Sequence, residues 1–129
     1  MAKVLLVDDD PFFLRLSEEF LKPYRDIKVE TAGSPCEAIP KLQTGAYDAV
    51  VSDYEMPGMN GITFLKKIRE QSINVPFILF TGNEKEDIMF EAMENGASAY
   101  LRKGENLKTQ FLTLFRQIEE AAREKGGMN

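Results

Sequence analysis

The chain reads as an α/β protein, a parallel sheet with helices packed on both of its faces. Two observations predict this. Short apolar runs bounded by polar residues, "VLLV" (4–7), "DAVVSD" (48–53) and "PFILF" (76–80), have the character of strands covered on both sides. Segments of helical periodicity alternate strictly with them, which is the pattern of strand–helix–strand crossovers. A length of 129 residues suits one domain with a full core and leaves no room for a second of ordinary size.

The elements follow in order. "VLLV" opens as the first strand. "PFFLRLSEEFLKPY" is the first helix: Pro11 suits its first turn, and Phe13, Leu16, Phe20 and Leu21 form its apolar stripe. "KVETA" (28–32) is a weaker second strand. "SPCEAIPKLQTG" carries Ser34 as an N-cap and stops near Gly45, with Pro40 expected to shorten or kink it. After "DAVVSD", "GITFLKKIREQS" places Ile62, Leu65 and Ile68 on one face. After "PFILF", "EKEDIMFEAMENGA" places Ile88, Ala92 and Met93 together and ends at Gly96 as a C-cap. "SAYL" (98–101) is a short fifth strand. The last helix carries the longest stripe, Leu107, Phe111, Leu114, Ile118 and Ala121. The domain spans 1–125, and "GGMN" leaves 126–129 as a frayed tail.

Composition excludes several classes of function. A net charge of −5 and a pI near 4.8 argue against direct nucleic-acid binding, which needs a basic face. No apolar run is long enough to span a bilayer, and no basic-then-apolar leader opens the chain, so the expected compartment is the cytoplasm. The single cysteine, Cys36, cannot form an intrachain disulfide. Without a histidine, the chain has no Ser–His triad and no imidazole acid–base chemistry.

The polar residues at the strand ends carry the chemistry. Asp8 and Asp9 follow the first strand, Asp53 closes the third, Thr81 follows the fourth, and Lys103 lies just beyond the fifth. Ligand sites of open parallel sheets form outside the carboxyl ends of the strands, so these residues converge on one edge. Carboxylates gathered from two neighbouring strands repel, and a hard dication such as Mg²⁺, which prefers oxygen ligands, relieves that repulsion. With Lys103 as a second positive charge and Thr81 as a hydroxyl donor, such an edge stabilises a phosphoryl group in transfer. The nucleophile is then a carboxylate, and Asp53 is the candidate. Taken singly, each residue also has an ordinary structural reading. Asp8, Asp9 and Asp10 suit a helix N-terminus, and for Asp10 beside Pro11 that reading is the better one. Thr81 suits a cap or turn, and Lys103 a solvated surface.

At these residues the chain resembles a response-regulator receiver domain, the phosphate-accepting half of a two-component pathway. The resemblance rests on "LLVDDD", "VVSDYEMPGMNG", "FILFTGNE" and "NGASAYLRKG", in the family's order and spacing, and covers Lys3 to about Lys125. It implies a flavodoxin-like (βα)5 sandwich with strand order 2-1-3-4-5. It implies that Asp53 accepts a phosphoryl group from the phosphohistidine of a histidine kinase or phosphotransfer protein. Asp8, Asp9, Asp53 and the backbone carbonyl of Glu55 would hold Mg²⁺. Thr81 and Lys103 would contact the phosphoryl group, and Gly82 would leave room for it. Met56, Pro57 and Gly58 would shape the turn after the acceptor, with Gly61 at the start of the next helix. Tyr100 matches the family's switch aromatic, although a strand aromatic is also ordinary core. Glu55 and Asn83 match the positions that tune dephosphorylation.

One departure stands out. The family's lysine usually precedes a cis-proline, whereas Lys103 precedes Gly104. A cis bond before a non-proline residue costs about 2.5–4 kcal/mol, so a trans bond is expected, and with it a different path for the loop. The resemblance also implies a single-domain switch that assists only its own phosphorylation and dephosphorylation. Its output is a downstream partner bound through helix four, strand five and helix five, and it exists as a monomer or weak dimer. The alternative is a Mg²⁺-dependent phosphatase with an aspartyl nucleophile, for which Glu55 would be the general acid. Against it, the paired acids lie upstream of Asp53 and no cap insertion is present. A binding module that keeps the fold without phosphorylation is a third class, and the complete polar set argues against it.

Overall fold

The computed structural model describes residues 2–82, 85–104 and 106–126, with side chains through Arg123. Its elements are β1 (Ala2–Val7), α1 (Pro11–Leu21), β2 (Ile27–Ala32), α2 (Pro35–Thr44), β3 (Ala49–Ser52), α3 (Gly61–Glu70), β4 (Phe77–Thr81), α4 (Glu86–Glu94), β5 (Ala99–Arg102) and α5 (Leu107–Gly126). The strands form one five-stranded sheet in the order β2-β1-β3-β4-β5, and every pairing is parallel. The expected class and strand order are both observed.

The layering follows from handedness. Crossovers between parallel strands are right-handed, so the side on which a helix lies depends on the direction of the step. The step from β1 to β2 runs one way along the sheet, and every later step runs the other way. α2, α3 and α4 therefore share one face, where Ala38, Leu42, Leu65, Ile68, Ile88 and Ala92 pack on Leu5, Val7, Val50, Phe77 and Leu79. α1 lies on the opposite face and α5 joins it. There Leu14, Leu21, Phe111, Leu114 and Ile118 pack on Val4, Leu6, Val51, Ile78 and Phe80. Successive residues of β1, β3 and β4 thus feed alternate cores, which is why Val4–Val7, Ala49–Val51 and Phe77–Phe80 are unbroken apolar runs. Phe64, Phe77, Phe80 and Phe111 are among the largest fully buried side chains. Each such burial stabilises the fold by about 1.5–3 kcal/mol.

Helix boundaries follow their caps. Asp10 is the N-cap of α1 and accepts from the Phe12 N–H at 3.0 Å. Ser34 caps α2 through the Glu37 N–H at 3.1 Å, and Gly45 ends it. α4 stops at Asn95, followed by Gly96 at φ +95° in the left-handed region. α5 runs to Gly126, which the sequence places in the tail, and the rest of that tail, residues 127–129, lies outside the described residues.

Three expectations are corrected. α1 buries Leu14, Ser17 and Leu21, while Phe13, Leu16 and Phe20 are only half-buried. The helix lies rotated, with Phe13 and Phe20 stacked on the buried Phe111 of α5. Met93 is 47% exposed, since α4 rests on the sheet only through Ile88 and Ala92. Pro40 does not shorten α2, which continues past it from Pro35 to Thr44. Among the described residues, no helix is long and apolar enough to cross a membrane.

Candidate functional site

β1 and β3 are neighbours whose connections leave in opposite directions, so a crevice opens at their carboxyl ends. Asp8 and Asp9 follow β1 directly, and Asp53 follows β3. The register aligns Val7 with Ser52, and the Asp53 N–H donates to the Val7 carbonyl at 3.1 Å. The two acidic strand ends are thereby held side by side. Carboxylate oxygens of Asp8, Asp9 and Asp53 all lie within 4.8 Å of one another.

Lys103 enters from β5 on the far side of β4. Its N–H donates to the Thr81 carbonyl at 2.8 Å, so the last residue of β4 ties down the start of the loop. Its ammonium reaches Asp8 Oδ2 at 2.7 Å and Asp53 Oδ2 at 3.3 Å. The Lys103–Gly104 peptide is trans, as expected. The different path expected for the loop does not take the lysine out of the site. The ammonium also sits 3.8 Å from the centroid of the Phe13 ring.

The other carboxylate contacts come from backbone. Asp8 Oδ1 accepts the Asp10 N–H at 3.0 Å, and Asp53 Oδ1 accepts the Tyr54 N–H at 2.7 Å. Asp8 is only 3% exposed. Burial pushes its carboxyl above the ordinary carboxylate range, against the hydrogen bond and charge of Lys103, and the Asp53 charge pushes the same way. One ammonium thus faces a group of three carboxylates.

The donor set suits a hard dication. Ligands of one Mg²⁺ ion at about 2.0–2.1 Å lie no more than about 4.2 Å apart, so a spacing within 4.8 Å needs only a small side-chain rotation. An exposed Asp9 and a half-buried Asp53 leave the site open on its outer side. There Asp9, Asp53, Tyr54, Glu55, Met56 and Asn60 line an open depression.

The turn between β3 and α3 shapes this depression. Gly58 takes φ +81°, a conformation that favours glycine. The Gly61 N–H donates to the Tyr54 carbonyl at 2.7 Å. A Cβ on Gly61 would collide with the Asp53 carbonyl oxygen and lie 2.9 Å from Leu79 Cδ1. Only glycine lets the start of α3 come this close behind the acid. Asn60 caps that helix through the Ile62 and Thr63 N–H groups at 3.0 and 2.9 Å.

The remaining expected residues are placed as follows. Thr81 is the last residue of β4 and is 1% exposed. Strand alternation puts it on the face of Phe77 and Leu79, towards α4, where the half-buried Tyr100 also packs. A Cβ on Gly82 would meet nothing within 4 Å, so space is open beside it. Glu55 is exposed on the rim. Asn83 lies outside the described residues. Phe13 was legible only as core, and nothing in its local periodicity marks its place against Lys103.

A sequence model of the response regulator receiver domain matches residues 4–114. The chain is a member of that family. Similar proteins include chemotaxis protein CheY-3 of Vibrio cholerae, 34% identical over 78% of this chain and 79% of its own. Chemotaxis protein CheY of Pseudomonas aeruginosa is 30% identical over 90% of this chain and 98% of its own. Among solved structures, a receiver domain protein from Clostridium thermocellum superposes over 100% of both chains with TM-score 0.86 at 27% identity. Vibrio cholerae CheY4 superposes with TM-score 0.79 at 35% identity, over 90% of this chain and 98% of its own. As a receiver domain, the chain belongs to phosphorylation-activated signalling.

Proposed function

We propose that Asp53 accepts the phosphoryl group. The observation that carries this reading is the placement of its carboxylate, beside Asp8 and Asp9 and 3.3 Å from the Lys103 ammonium, at the rim of an open crevice. An Asp53 oxygen attacks phosphorus, the phosphorus–nitrogen bond of a phosphohistidine breaks, and the electron pair leaves with the donor's imidazole. The donor is a histidine kinase or histidine phosphotransfer protein. Asp8, Asp9, Asp53 and the Glu55 carbonyl would hold Mg²⁺, which supplies neutralising charge for the phosphoryl oxygens. Lys103 pairs with those oxygens, the Thr81 hydroxyl donates to one of them, and the open space at Gly82 admits them.

Thr81 turning towards the phosphoryl group would vacate room on the α4 side of the sheet, and Tyr100 would respond. That biases the α4–β5–α5 surface between two states and controls a downstream protein. The protein converts no external substrate. Glu55 on the rim, with Asn83, sets the lifetime of the acyl phosphate: Glu55→Ala changes the dephosphorylation rate while phosphorylation persists. The chain acts in the cytoplasm as a monomer or weak dimer, without direct nucleic-acid or membrane binding.

Intact-mass measurement after acetyl phosphate treatment tests the core of this. One phosphoryl adduct is expected with Mg²⁺, and none without it or in Asp53→Asn. Sustained turnover of small phosphomonoesters would instead identify the aspartyl phosphatase.

A further inference from the structure

Of the groups around the Lys103 ammonium, the Phe13 ring has no part in the chemistry above. Asp8 and Asp53 hold the ammonium by charge at 2.7 and 3.3 Å, and the Phe13 centroid lies 3.8 Å away. We propose that Phe13 is a positioning residue, whose ring face holds the Lys103 ammonium over the Asp8–Asp53 pair by a cation–π contact. The proposal rests on the phosphoryl-transfer reading for its kinetic consequence, but not for the placement of the lysine.

The backbone does little to place this side chain. Lys103 is anchored before it by the bond to Thr81, but after it comes Gly104 through a trans peptide. Glycine restricts the chain least of all residues, and the lysine stem is itself flexible. The two carboxylates cannot be constant anchors either. Both belong to the group that would draw a dication, and Asp53 changes identity when modified. The aromatic face is the contact whose character stays the same throughout.

The ring can serve as a fixed platform because it is itself held. Phe13 stacks on Phe111 at 5.8 Å and 24°, and meets Phe80 at 5.8 Å and 57°. Phe80 and Phe111 meet edge-on at 5.9 Å, and Phe20 stacks on Phe111 at 4.8 Å. Aromatic pairs at these separations are favourable, and a cation over a partly desolvated ring is attracted by its quadrupole. Phe12, the neighbour on the same helix, is 71% exposed and takes no part. The rotation of α1 that leaves Phe13 half-buried is what brings the ring beneath the lysine.

The test compares Phe13→Leu and Phe13→Tyr in the wild-type and Lys103→Ala backgrounds. The first readout is the acetylation rate of Lys103 in metal-free protein, by peptide mass spectrometry with Lys3 as internal reference. The second is the rate of Asp53 labelling by acetyl phosphate. Phe13→Leu is expected to speed Lys103 acetylation and slow labelling, each roughly threefold to thirtyfold, the range a cation–π contact supports. Phe13→Tyr restores both. In Lys103→Ala, the leucine change slows labelling by no more than about twofold, the usual scatter between independent sites. Unaltered Lys103 reactivity in Phe13→Leu, or the same labelling loss without Lys103, overturns the proposal. If the wild type is not labelled at all, the phosphoryl-transfer reading fails, while Lys103 reactivity still decides the placement. Should Phe13→Leu lose its cooperative melt, Phe13→Met carries the same readouts.

Discussion

Two lysines of this molecule sit among the same kinds of groups in different electrostatic settings. Lys103, at the carboxyl ends of the strands, meets Asp8, Asp53 and the face of Phe13. Lys3, near the start of β1, meets Glu30 at 3.5 Å and the face of Tyr47 at 4.6 Å, and its N–H donates to Asp48 at 2.8 Å. The Lys103 side chain is 19% exposed and that of Lys3 is 33%. Around Lys3 the account closes: the Tyr47 hydroxyl donates to Glu30 at 2.7 Å, and this bond, more than the Lys3 and Lys28 charges, holds the Glu30 carboxyl below its ordinary range. Around Lys103, burial leaves the Asp8 carboxyl raised, and the grouped acids outnumber the cation. A lysine, an acid and an aromatic ring are therefore not a site in themselves. Burial that raises Asp8 within a group of three carboxylates is what sets the Lys103 cluster apart from the Lys3 cluster.

The comparison is tested first by acid removal. Asp53→Asn should abolish labelling by acetyl phosphate, while Glu30→Gln should leave it unchanged; intact mass reads both. The next effect is on stability. Lys103→Ala leaves buried Asp8 without its cation and should cost about 1–3 kcal/mol in chelator, much of it regained with Mg²⁺. Lys3→Ala should cost less than about 1 kcal/mol with no response to Mg²⁺, and equal costs in urea melts would erase the distinction.

Acid titration should then split the two regions by sign. The Asp8 pKa is raised in the folded state, so its contribution to stability is complete below the unfolded value near 3.8 and is lost as pH rises through the raised value. The Glu30 pKa is lowered, so its contribution is present above about 4.5 and is lost as pH falls through the lowered value. Melting temperatures of Asp8→Asn and Glu30→Gln, each against wild type in chelator, should diverge in opposite directions with pH. Tyr47→Phe removes one hydrogen bond and should cost about 0.5–1.5 kcal/mol by urea midpoint. The Tyr47 hydroxyl is pushed up to about 12, chiefly by burial and then by Glu30. The part of stability it carries is present below 10.0, fades as pH rises through about 12, and should be absent in Tyr47→Phe.

Much of the site was legible because its acids stand directly at the ends of apolar runs. Asp8, Asp9, Asp53 and Thr81 needed only strand boundaries and the rule for parallel sheets. Lys103 was harder. Its partners lie 95 and 50 residues away, and Gly104 suggested another path for its loop. The periodicity of α1 marks Phe13 as core, which it partly is, because periodicity reports a face and not what approaches that face from β5. Met93 was placed in the stripe of α4 and is exposed, because a short helix at the edge of a sheet buries a narrower face than its apolar residues could fill.

Local pattern settled the alternation of strands and helices, the caps at Asp10 and Ser34, and the edge on which the acids gather. All of these depend on neighbours within a turn or a strand's length. The rotation of α1, the collision that makes Gly61 obligatory behind Asp53, and the seating of Lys103 between two carboxylates and a ring belonged to the packed chain alone. Each requires segments far apart in sequence to meet at distances of a few ångströms, and no periodicity within one segment encodes the approach of another.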